Sequence, residues 1–369
     1  MYLLRKILLK LTFCAVFFVL LYSFQASTSV YWNTYNFGGQ NVSEKMEFPS
    51  AVAVAKYSND IASSSYVDST VTPKKIEYYN VWCIFTKVTS NSPIRRKFKI
   101  FSETLLRLAT VDIAFHVITD SDSKGIAENE IQGIMRMTGK LMKVQYYDVH
   151  KLASQLENIV SVMSPHFSSK PGTYYSDALF FLSLGLHRIA PMDQNLAVMF
   201  DVDTKLRRDI KELFQEFNHF GEKALFGLAP ELTPVYRHVL YLYRSKNPKT
   251  IFGEPLYSGG YSGYNSGVIL INLERLRNSL EYDQIVSQDS VDHLAEKFNF
   301  KGHLGDQDFY TILGMERPEF IYTLDCGWNR QLCTWWRDRG YTDVFSSYAQ
   351  CDSETKLWHG NCNAPIPDD

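Results

Sequence analysis

The chain has 369 residues, of which 45% are hydrophobic and 21% are charged, and its formal net charge is −2 at pH 7. This length accommodates one large domain or two ordinary ones with a sizeable buried core. The near balance of charges argues against a nucleic-acid-binding protein. The basic cluster Arg95-Arg96-Lys97 is most simply interpreted as a solvated surface patch.

The N-terminal segment predicts attachment to a membrane. After a short basic tail, an apolar run of about 18 residues extends from Ile7 to Phe24, which is near the lower limit for a bilayer span. A cleaved signal peptide is the alternative, but the run is long for one and no A-x-A cleavage site follows it. We therefore expect a cytoplasmic tail at residues 1–6, an uncleaved signal-anchor at 7–24 and a luminal remainder.

Residues 25–75 are polar and rich in Ser and Thr, which predicts a poorly ordered luminal stem. The sequon Asn41-Val42-Ser43 lies in this segment and is consistent with exposure to the lumen.

The cysteines are distributed unevenly. Cys14 lies in the predicted anchor, and Cys83 lies in an apolar strand where a buried free thiol is expected. The others crowd near the C-terminus, at Cys326, Cys333, Cys351 and Cys362. These four lack the C-x-x-C spacing of a zinc site, so two disulfides in an oxidising lumen are the better interpretation, with three pairings open.

Residues 76–369 are predicted to form one α/β domain. Apolar runs predict strands at Val81–Phe85, Ile113–Thr119, Val144–Tyr147, Leu196–Phe200 and Val268–Ile271. Helical periodicity predicts helices at Phe98–Leu108 and Tyr175–Ile189, and a further helix after the last of these strands. Strands that alternate with helices indicate a single, mostly parallel sheet flanked by helices.

The tripeptide Asp201-Val202-Asp203 directly follows the predicted strand Leu196–Phe200. Ligands bind outside the carboxyl ends of such strands, and two carboxylates there can hold Mg²⁺ or Mn²⁺ together with a phosphorylated ligand. The D-x-D pattern also occurs at Asp120/Asp122 and Asp306/Asp308, where a helix cap or a solvated turn is the simpler interpretation. Strand context alone sets the middle pair apart.

His359 lies in a C-terminal loop rich in Gly, Asn and Pro. A lone histidine is more often structural than a ligand, but beside a D-x-D turn it would complete a mixed oxygen and nitrogen site suited to Mn²⁺. Trp335 and Trp336 suit the faces of sugars, although core packing beside the disulfides is the stronger interpretation.

The order of FDVDTK, YNSGVILINLERLR, HLGDQDFYTILG and a C-terminal histidine resembles glycosyltransferase family 8, the retaining GT-A enzymes. A closer resemblance, to the xyloside α-1,3-xylosyltransferases, is carried by YYSDALFFLSLGLHRIAP, HLGDQDFYTILG, DCGWNRQLCTWWRDRGYTDVF and HGNCNAPIPDD. It covers essentially Tyr79 to Asp369. It implies that residues 76–369 form a catalytic domain with the Rossmann-like GT-A fold.

This resemblance implies Mn²⁺-dependent transfer of xylose from UDP-xylose, with retention of configuration. The acceptor would be the xylose of xylosyl-glucose O-linked to EGF-like repeats of Notch-type proteins, extended in an α-1,3 linkage. The enzyme would be a single-pass type II protein of the endoplasmic reticulum membrane, with the Golgi as the alternative and a homodimer left open. Competing expectations are a glucoside α-1,3-xylosyltransferase, another family 8 glucosyl- or galactosyltransferase, a sugar-nucleotide hydrolase and an inactive lectin-like luminal scaffold.

The resemblance also assigns roles by position. The metal ligands would be Asp201, Asp203 and His359. The nucleotide sugar would contact Thr86, Lys87, Ser176, Asp177, Val202, Asn265, Ser266, Lys356 and Gly360. The catalytic residues facing the xylose would be Asp306, Gln307 and Asn361.

Two points of mechanism stay open in the sequence. The wider family often has H-x-x-G-x-x-K-P-W at its C-terminal histidine, whose lysine helps to neutralise the diphosphate. Here Gly360 directly follows His359 and no lysine follows, so Lys356 or backbone N–H groups would have to substitute. A covalent route would need a carboxylate such as Asp306 or Asp308 beneath the anomeric carbon, whereas the resemblance favours front-face substitution.

Overall fold

The computed structural model describes residues 78–170 and 178–368. The predicted signal-anchor and stem lie outside the described residues, and so do Ser176 and Asp177. Within the described part of the chain, no helix is both long enough and apolar enough to cross a bilayer.

Ten strands are present in the described residues. They are β1 (Tyr79–Phe85), β2 (Ile113–Thr119), β3 (Lys143–Asp148), β4 (Leu196–Phe200), β5 (Thr204–Leu206), β6 (Phe226–Pro230), β7 (Tyr264–Asn272), β8 (Ile321–Thr323), β9 (Arg330–Gln331) and β10 (Leu357–His359). Seven of them form the main sheet in the order β3-β2-β1-β4-β7-β6-β8, and the other three form a small sheet in the order β5-β10-β9. In the main sheet β7 is antiparallel to both neighbours, and all other pairs are parallel.

Helices cover both faces of the main sheet, on which two hydrophobic clusters lie. The α-helices are α1 (Pro93–Leu108), α2 (Ser121–Thr138), α3 (Val149–Gln155), α4 (Glu157–Phe167), α5 (Leu186–Ile189), α6 (Ile210–Gln215), α7 (Val235–Val239), α8 (Tyr241–Lys246), α9 (Leu273–Arg277), α10 (Leu280–Ile285), α11 (Gln288–Lys297), α12 (Asp306–Glu316) and α13 (Thr342–Tyr348). Short 3₁₀ helices lie at Ala178–Gly185, Glu216–His219, Leu256–Ser258, Pro318–Phe320, Cys326–Asn329, Arg337–Arg339 and Asn361–Asn363.

Local sequence explains the first helices well. Helix α1 begins with Pro93, whose missing N–H would have had no intrahelical partner in the first turn. Helix α2 begins after Asp120, whose carboxylate accepts a hydrogen bond from the backbone N–H of Ser123. It ends at Gly139, where the backbone is left-handed with φ of 67°. Asp120 is therefore a helix cap, as its D-x-D sequence context predicted.

The α/β fold with a mostly parallel sheet is confirmed, and all five predicted strands are present. Within the described residues of the predicted helix Tyr175–Ile189, the helix type is wrong for the first part and right for the second. Ala178–Gly185 forms a 3₁₀ helix, and only Leu186–Ile189 is α-helical. The segment is almost entirely apolar, and Phe181, Leu182 and Leu184 are all completely buried. Its apolar spacing satisfies a period of 3.0 as well as 3.6, so packing decides between them.

The C-terminal cysteines form two disulfides, Cys326–Cys351 and Cys333–Cys362, whereas Cys83 is buried and unpaired. Both predictions about these cysteines are confirmed. The second disulfide joins the residues just after β9 to those just after β10, and so fixes the loop that follows His359.

Candidate active site

Two carboxylates and one imidazole converge where β4 ends. The Nε2 atom of His359 lies 3.5 Å from Oδ2 of Asp201 and 3.4 Å from Oδ1 of Asp203. One ligand atom from each of the three side chains falls within 4.8 Å of the others. The His359 side chain is almost completely buried, whereas 59% of the Asp201 side chain is exposed. The cluster therefore has one open side.

The small sheet explains why these distant residues meet. Antiparallel pairing of β5 with β10 places Thr204 opposite His359. Beyond that pair, the backbone N–H of Gly360 donates to the carbonyl of Asp203 at 2.8 Å. The Thr204 hydroxyl donates to the carbonyl of Asp201 at 2.8 Å. Hydrogen bonds therefore hold the turn that carries the aspartates against the strand that carries His359.

A missing side chain makes room for the imidazole. A Cβ atom on Gly267, in β7, would lie 2.2 Å from Cε1 of His359. Real Cβ contacts are never this short, so any larger residue at this position would displace the ring. The carbonyl of Gly267 also accepts a hydrogen bond from the N–H of Asp201. Gly267 therefore serves two of the three clustered residues.

Electrostatics favour a positive charge at the cluster. Burial alone would lower the pKa of His359, but the carboxylates of Asp201 and Asp203 raise it to about 10. Burial would likewise raise the pKa of Asp203, but His359 and Lys97 lower it to about 2. Two carboxylates and an imidazole that attract a cation this strongly form a donor set that fits Mn²⁺.

Lys97 lies beside this cluster, which the sequence did not predict. Its ammonium is 3.3 Å from Oδ2 of Asp203, 3.2 Å from the carbonyl of Gly360 and 3.4 Å from Oδ1 of Asn363. Only 16% of the Lys97 side chain is exposed, so the interpretation of this residue as part of a solvated patch is wrong. Helix α1 turns Lys97 toward the site, while Arg95 pairs with Glu130 on another side.

Lys356 lies elsewhere. It precedes β10, and its ammonium is 5.0 Å from the centre of the Trp328 ring. Its backbone carbonyl accepts from Arg207, and its N–H donates to Gly327. Of the two lysines, Lys97 is the one that lies beside Asp201, Asp203 and His359, the candidate metal-ligand cluster.

Side-chain amides continue inward from the cluster. The Nδ1 atom of His359 is 2.9 Å from Oδ1 of Asn329, and Nδ2 of Asn329 donates to Oδ1 of Asn265 at 2.9 Å. Asn265 in turn donates to Oε2 of Glu231 at 2.9 Å, and Gln307 donates to the same oxygen at 3.2 Å. All five residues are at most 9% exposed. Asn265 and Gln307 were predicted from the sequence, whereas Glu231 and Asn329 were not.

Glu231 is a carboxylate deep in the protein. Burial raises its pKa, an effect that hydrogen bonds from Asn265 and Thr233 oppose. A single carboxylate after β6 carries no sequence signal of this environment, because Asn265 and Gln307 lie on two other segments of the chain.

Asp306 and Asp308 differ although one residue separates them. Burial and the nearby charge of Asp201 raise the pKa of Asp306 to about 7, and its Oδ2 accepts from Ser183 at 2.5 Å. In Asp308, Oδ2 accepts from the backbone N–H groups of residues 303 and 304, and Oδ1 accepts from the hydroxyl of Tyr236. Asp308 therefore anchors the start of α12, and only Asp306 faces the acidic cluster.

Thr86, Lys87, Val202 and Ser266 lie in or shortly after strands of the main sheet. Thr86 and Lys87 follow β1, the neighbour of β4, and the N–H of Lys87 donates to Asp120 at 2.5 Å. The N–H of Ser266, in β7, donates to the amide oxygen of Gln307 at 3.3 Å. Val202 is buried beneath the D-x-D turn.

Asn361 follows Gly360 in the closing loop. Its amide oxygen accepts from the N–H groups of Leu332 and Cys333 at 3.1 and 2.9 Å. The next two residues, Cys362 and Asn363, have left-handed backbone with φ of 55° and 59°. The loop is therefore tied to β9 by hydrogen bonds as well as by the Cys333–Cys362 disulfide.

The two adjacent tryptophans have different environments. Trp336 packs against His238 and Tyr341, whereas Trp335 is 48% exposed. Core packing accounts for Trp336 alone.

An open α/β sheet with a D-x-D turn at a strand end, joined by a distal histidine, defines the class of GT-A glycosyltransferases. No protein-family model matches the sequence. Mouse and human xyloside xylosyltransferase 1 are each 43% identical to the chain over 296 residues, which cover 79% of this chain and 75% of theirs. A crystal structure of the mouse protein in its apo form superposes with a TM-score of 0.74, covering 79% of this chain and all of that one.

The chain therefore belongs to the xyloside xylosyltransferase family, within glycosyltransferase family 8. It is an enzyme, a glycosyltransferase of the GT-A fold.

Proposed function

We propose that this enzyme transfers xylose from UDP-xylose, with Mn²⁺ and with retention of configuration, to the xylose of xylosyl-glucose on EGF-like repeats. The product linkage is α-1,3. The convergence of Asp201, Asp203 and His359, in a chain of this family, carries the proposal.

The metal-ligand cluster suits the leaving group of this reaction. Transfer breaks the anomeric C–O bond and leaves additional negative charge on UDP. A bound Mn²⁺ would supply Lewis-acid stabilisation of that charge, worth several kcal/mol. Asp201, Asp203 and His359 would hold the ion, and the exposed side of Asp201 faces the direction from which a diphosphate can approach.

A second positive charge comes from this chain. The Lys97 ammonium lies within 3.4 Å of three oxygen acceptors at the edge of the cluster, and we propose that it also neutralises the diphosphate. It would take the role that Lys356, packed on Trp328, does not reach in this structure. Thr86, Lys87, Ser176, Asp177, Val202 and Gly360 are proposed to bind the rest of the nucleotide.

The sugar side consists of polar groups with limited freedom. Asn265, Ser266, Asp306, Gln307 and Asn361 are proposed to position the xylose and the acceptor. A covalent route would need an ionised carboxylate as nucleophile. Asp306 is a poor one because its pKa is raised to about 7 and Ser183 binds its oxygen. We therefore favour front-face substitution, in which the acceptor oxygen bonds to the anomeric carbon as the phosphate departs and takes the acceptor proton.

Family membership and the cysteines support a proposal for the compartment. Two disulfides in the described residues suit an oxidising lumen. We propose a type II protein of the endoplasmic reticulum membrane, anchored by residues 7–24, with the Golgi as the alternative and a homodimer as the assembly to test.

The proposed function is tested by donor and acceptor selection. The full-length enzyme, purified in detergent, is incubated with UDP-xylose, UDP-glucose or UDP-galactose and with peptides carrying O-glucose or xylosyl-glucose. We expect transfer only from UDP-xylose, only to xylosyl-glucose, and only with Mn²⁺ present. Transfer to O-glucose would instead indicate a glucoside xylosyltransferase, and UDP release that acceptor does not increase would indicate a hydrolase.

A further inference from the structure

The buried carboxyl group of Glu231 is linked to both the metal ligand and the proposed catalytic amide. Asn265 and Gln307 both donate to its Oε2 atom, so this oxygen acts only as an acceptor. Thr233 and the charge of His359 also oppose the rise that burial causes in the pKa of this carboxyl group. Glu231 is thus the acceptor that both amides share.

Two chains of hydrogen bonds, or arms, leave Glu231. In the first, which runs through Asn265 and Asn329 to His359, the orientation of each side-chain amide follows from this acceptor. Because the NH₂ group of Asn265 faces Glu231, its Oδ1 faces outward and accepts from Asn329 and from the N–H of Gly267. Because the NH₂ group of Asn329 is used there, its own Oδ1 faces His359. That oxygen requires a proton on Nδ1, so the proton that a bound cation would displace is the one on Nε2, the atom that faces Asp201 and Asp203.

The second arm is shorter. Gln307 directs its NH₂ group to Glu231, which leaves its Oε1 beside the N–H of Ser266, at the proposed sugar side. An amide can flip by half a turn at little cost in shape, and only its partners decide which atom faces the substrate. For Gln307 these partners are Glu231, which accepts from its NH₂ group, and the N–H of Ser266, which donates to its Oε1.

We propose that Glu231 is a positioning residue that fixes, through one hydrogen-bonded relay, the tautomer of His359 and the orientation of the Gln307 amide. This rests on the proposed function, since it concerns the same metal and sugar site. The relay residues are Glu231, Asn265, Asn329 and His359 on the metal arm, with Gln307 on the sugar arm.

The test uses two substitutions in the full-length protein. In Glu231→Leu, a side chain of similar size has no acceptor, so the NH₂ groups of Asn265 and Gln307 both lose their partner. In Asn329→Ala, only the metal arm is cut. Equilibrium Mn²⁺ binding is measured by the electron paramagnetic resonance of free Mn²⁺, without donor or acceptor. We expect each single variant to bind Mn²⁺ about 10- to 100-fold more weakly, the usual effect of removing an outer-shell partner.

Three results separate a relay from general damage. The double variant should bind Mn²⁺ no more weakly than the weaker single variant, because both changes act through one path. At saturating Mn²⁺, Asn329→Ala should recover kcat, whereas Glu231→Leu should not, because it also releases Gln307. Asp308→Asn is the control for the metal arm, since Asp308 is also buried and accepts three hydrogen bonds from groups that are not on that arm. It should lower Tm and leave Mn²⁺ affinity within about twofold.

Other results would overturn the relay. Wild-type Mn²⁺ affinity in folded Glu231→Leu, or additive losses in the double variant, would refute it while leaving the proposed function intact. If Glu231→Leu fails to fold, unchanged Mn²⁺ affinity in Asn329→Ala would refute the metal arm alone. A wild-type enzyme that binds no Mn²⁺ would refute both the relay and the proposed metal dependence.

Discussion

The parallel half of the main sheet and the C-terminal segment hold polar groups in different ways. Strands β1 and β2 pair over seven residues and β2 and β3 over six, with side chains packed in the core. The C-terminal segment has strands of only two and three residues in β9 and β10, and two disulfides hold it. The metal-ligand cluster takes its aspartates from the sheet and His359 from the cross-linked segment. Its geometry thus depends on core packing on one side and on covalent bonds on the other.

The largest effect should come from the sheet side. Asp203→Asn removes a charged ligand that lies against both His359 and Lys97. We expect a loss of Mn²⁺-dependent transfer of about 1,000-fold or more, because the ion contributes several kcal/mol to the leaving group. The fold should persist, since the side chain is partly exposed at a turn. Steady-state rates across a Mn²⁺ series, with thermal melts, provide the measurement.

Asp122→Asn is the matched control for that experiment. Asp122 belongs to a D-x-D of identical form, but it is exposed at the start of α2. Its substitution should leave the rate unchanged. Equal losses in the two variants would remove the distinction between the D-x-D sequences.

The second effect concerns the cross-linked segment. Replacing Cys333 and Cys362 by Ala should cost about 2–4 kcal/mol of unfolding free energy, the usual contribution of a disulfide. It should also weaken Mn²⁺ binding, because this bond fixes the loop after His359. Chemical denaturation and Mn²⁺ titration measure the two quantities separately.

The other disulfide is the control for this experiment. Replacing Cys326 and Cys351 by Ala should give a similar loss of stability with a smaller loss of Mn²⁺ affinity, since neither cysteine adjoins the histidine loop. If the two double variants bind Mn²⁺ with the same affinity, the Cys333–Cys362 disulfide has no specific role in holding the metal-ligand cluster.

Acid should lower the free energy of unfolding through His116, in the parallel half of the main sheet. Burial, followed by the charge of Lys143, lowers the pKa of His116 in β2 to about 4 from its ordinary value of 6.5. Between these two values the unfolded chain binds a proton that the folded chain does not. Stability due to the neutral ring is therefore complete above pH 6.5 and is lost as the pH falls toward 4, by up to about 3 kcal/mol. Urea unfolding at pH 7 and pH 5 measures the loss.

His116→Gln isolates this contribution. It should be less stable than wild type at pH 7, because His116 stacks on Trp82, but its stability should fall less steeply with acid. Burial also lowers the pKa of His187 to about 4, so part of the slope should remain. An unchanged slope would exclude His116 as a source of the acid sensitivity.

The smallest effect should come from Lys97. In Lys97→Met, the apolar stem is kept and the ammonium beside Asp203 and Gly360 is removed. We expect KM for the donor to rise about tenfold, about 1.4 kcal/mol, with little change in stability. Arg96→Met, one residue away and exposed, should leave KM unchanged. A response shared by both variants would indicate a general effect of charge.

Prediction from sequence succeeded where the signal is local. Strand Leu196–Phe200 is an unbroken apolar run, and such runs indicate buried strands whatever lies around them. Strands β9 and β10 are too short to form a pattern and exist only because β10 pairs with β5 on one side and with β9 on the other. The segment Ala178–Gly185 was assigned the wrong type of helix because its composition allows either period.

The candidate site also contains residues that local motifs predicted and residues that only the completed fold brings together. Motif order brought Asp201, Asp203 and His359 together correctly as a group. The sequence did not predict Lys97, Glu231 and Asn329. Each contacts residues that are far away in the chain, and each resembles an ordinary surface or loop residue. Lys97 contacts Asp203 only because α1 packs beside β5, and that packing is a property of the completed fold.

The pairing of β5 with β10 also has a consequence for folding kinetics. It closes a loop of roughly 150 residues, and such long-range pairs tend to form after contacts that are local in sequence. The sheet, with both aspartates at its edge, would then be in place before His359 arrives. A cation would bind to a nearly finished enzyme, and adding it at the start of refolding should not speed the formation of the sheet.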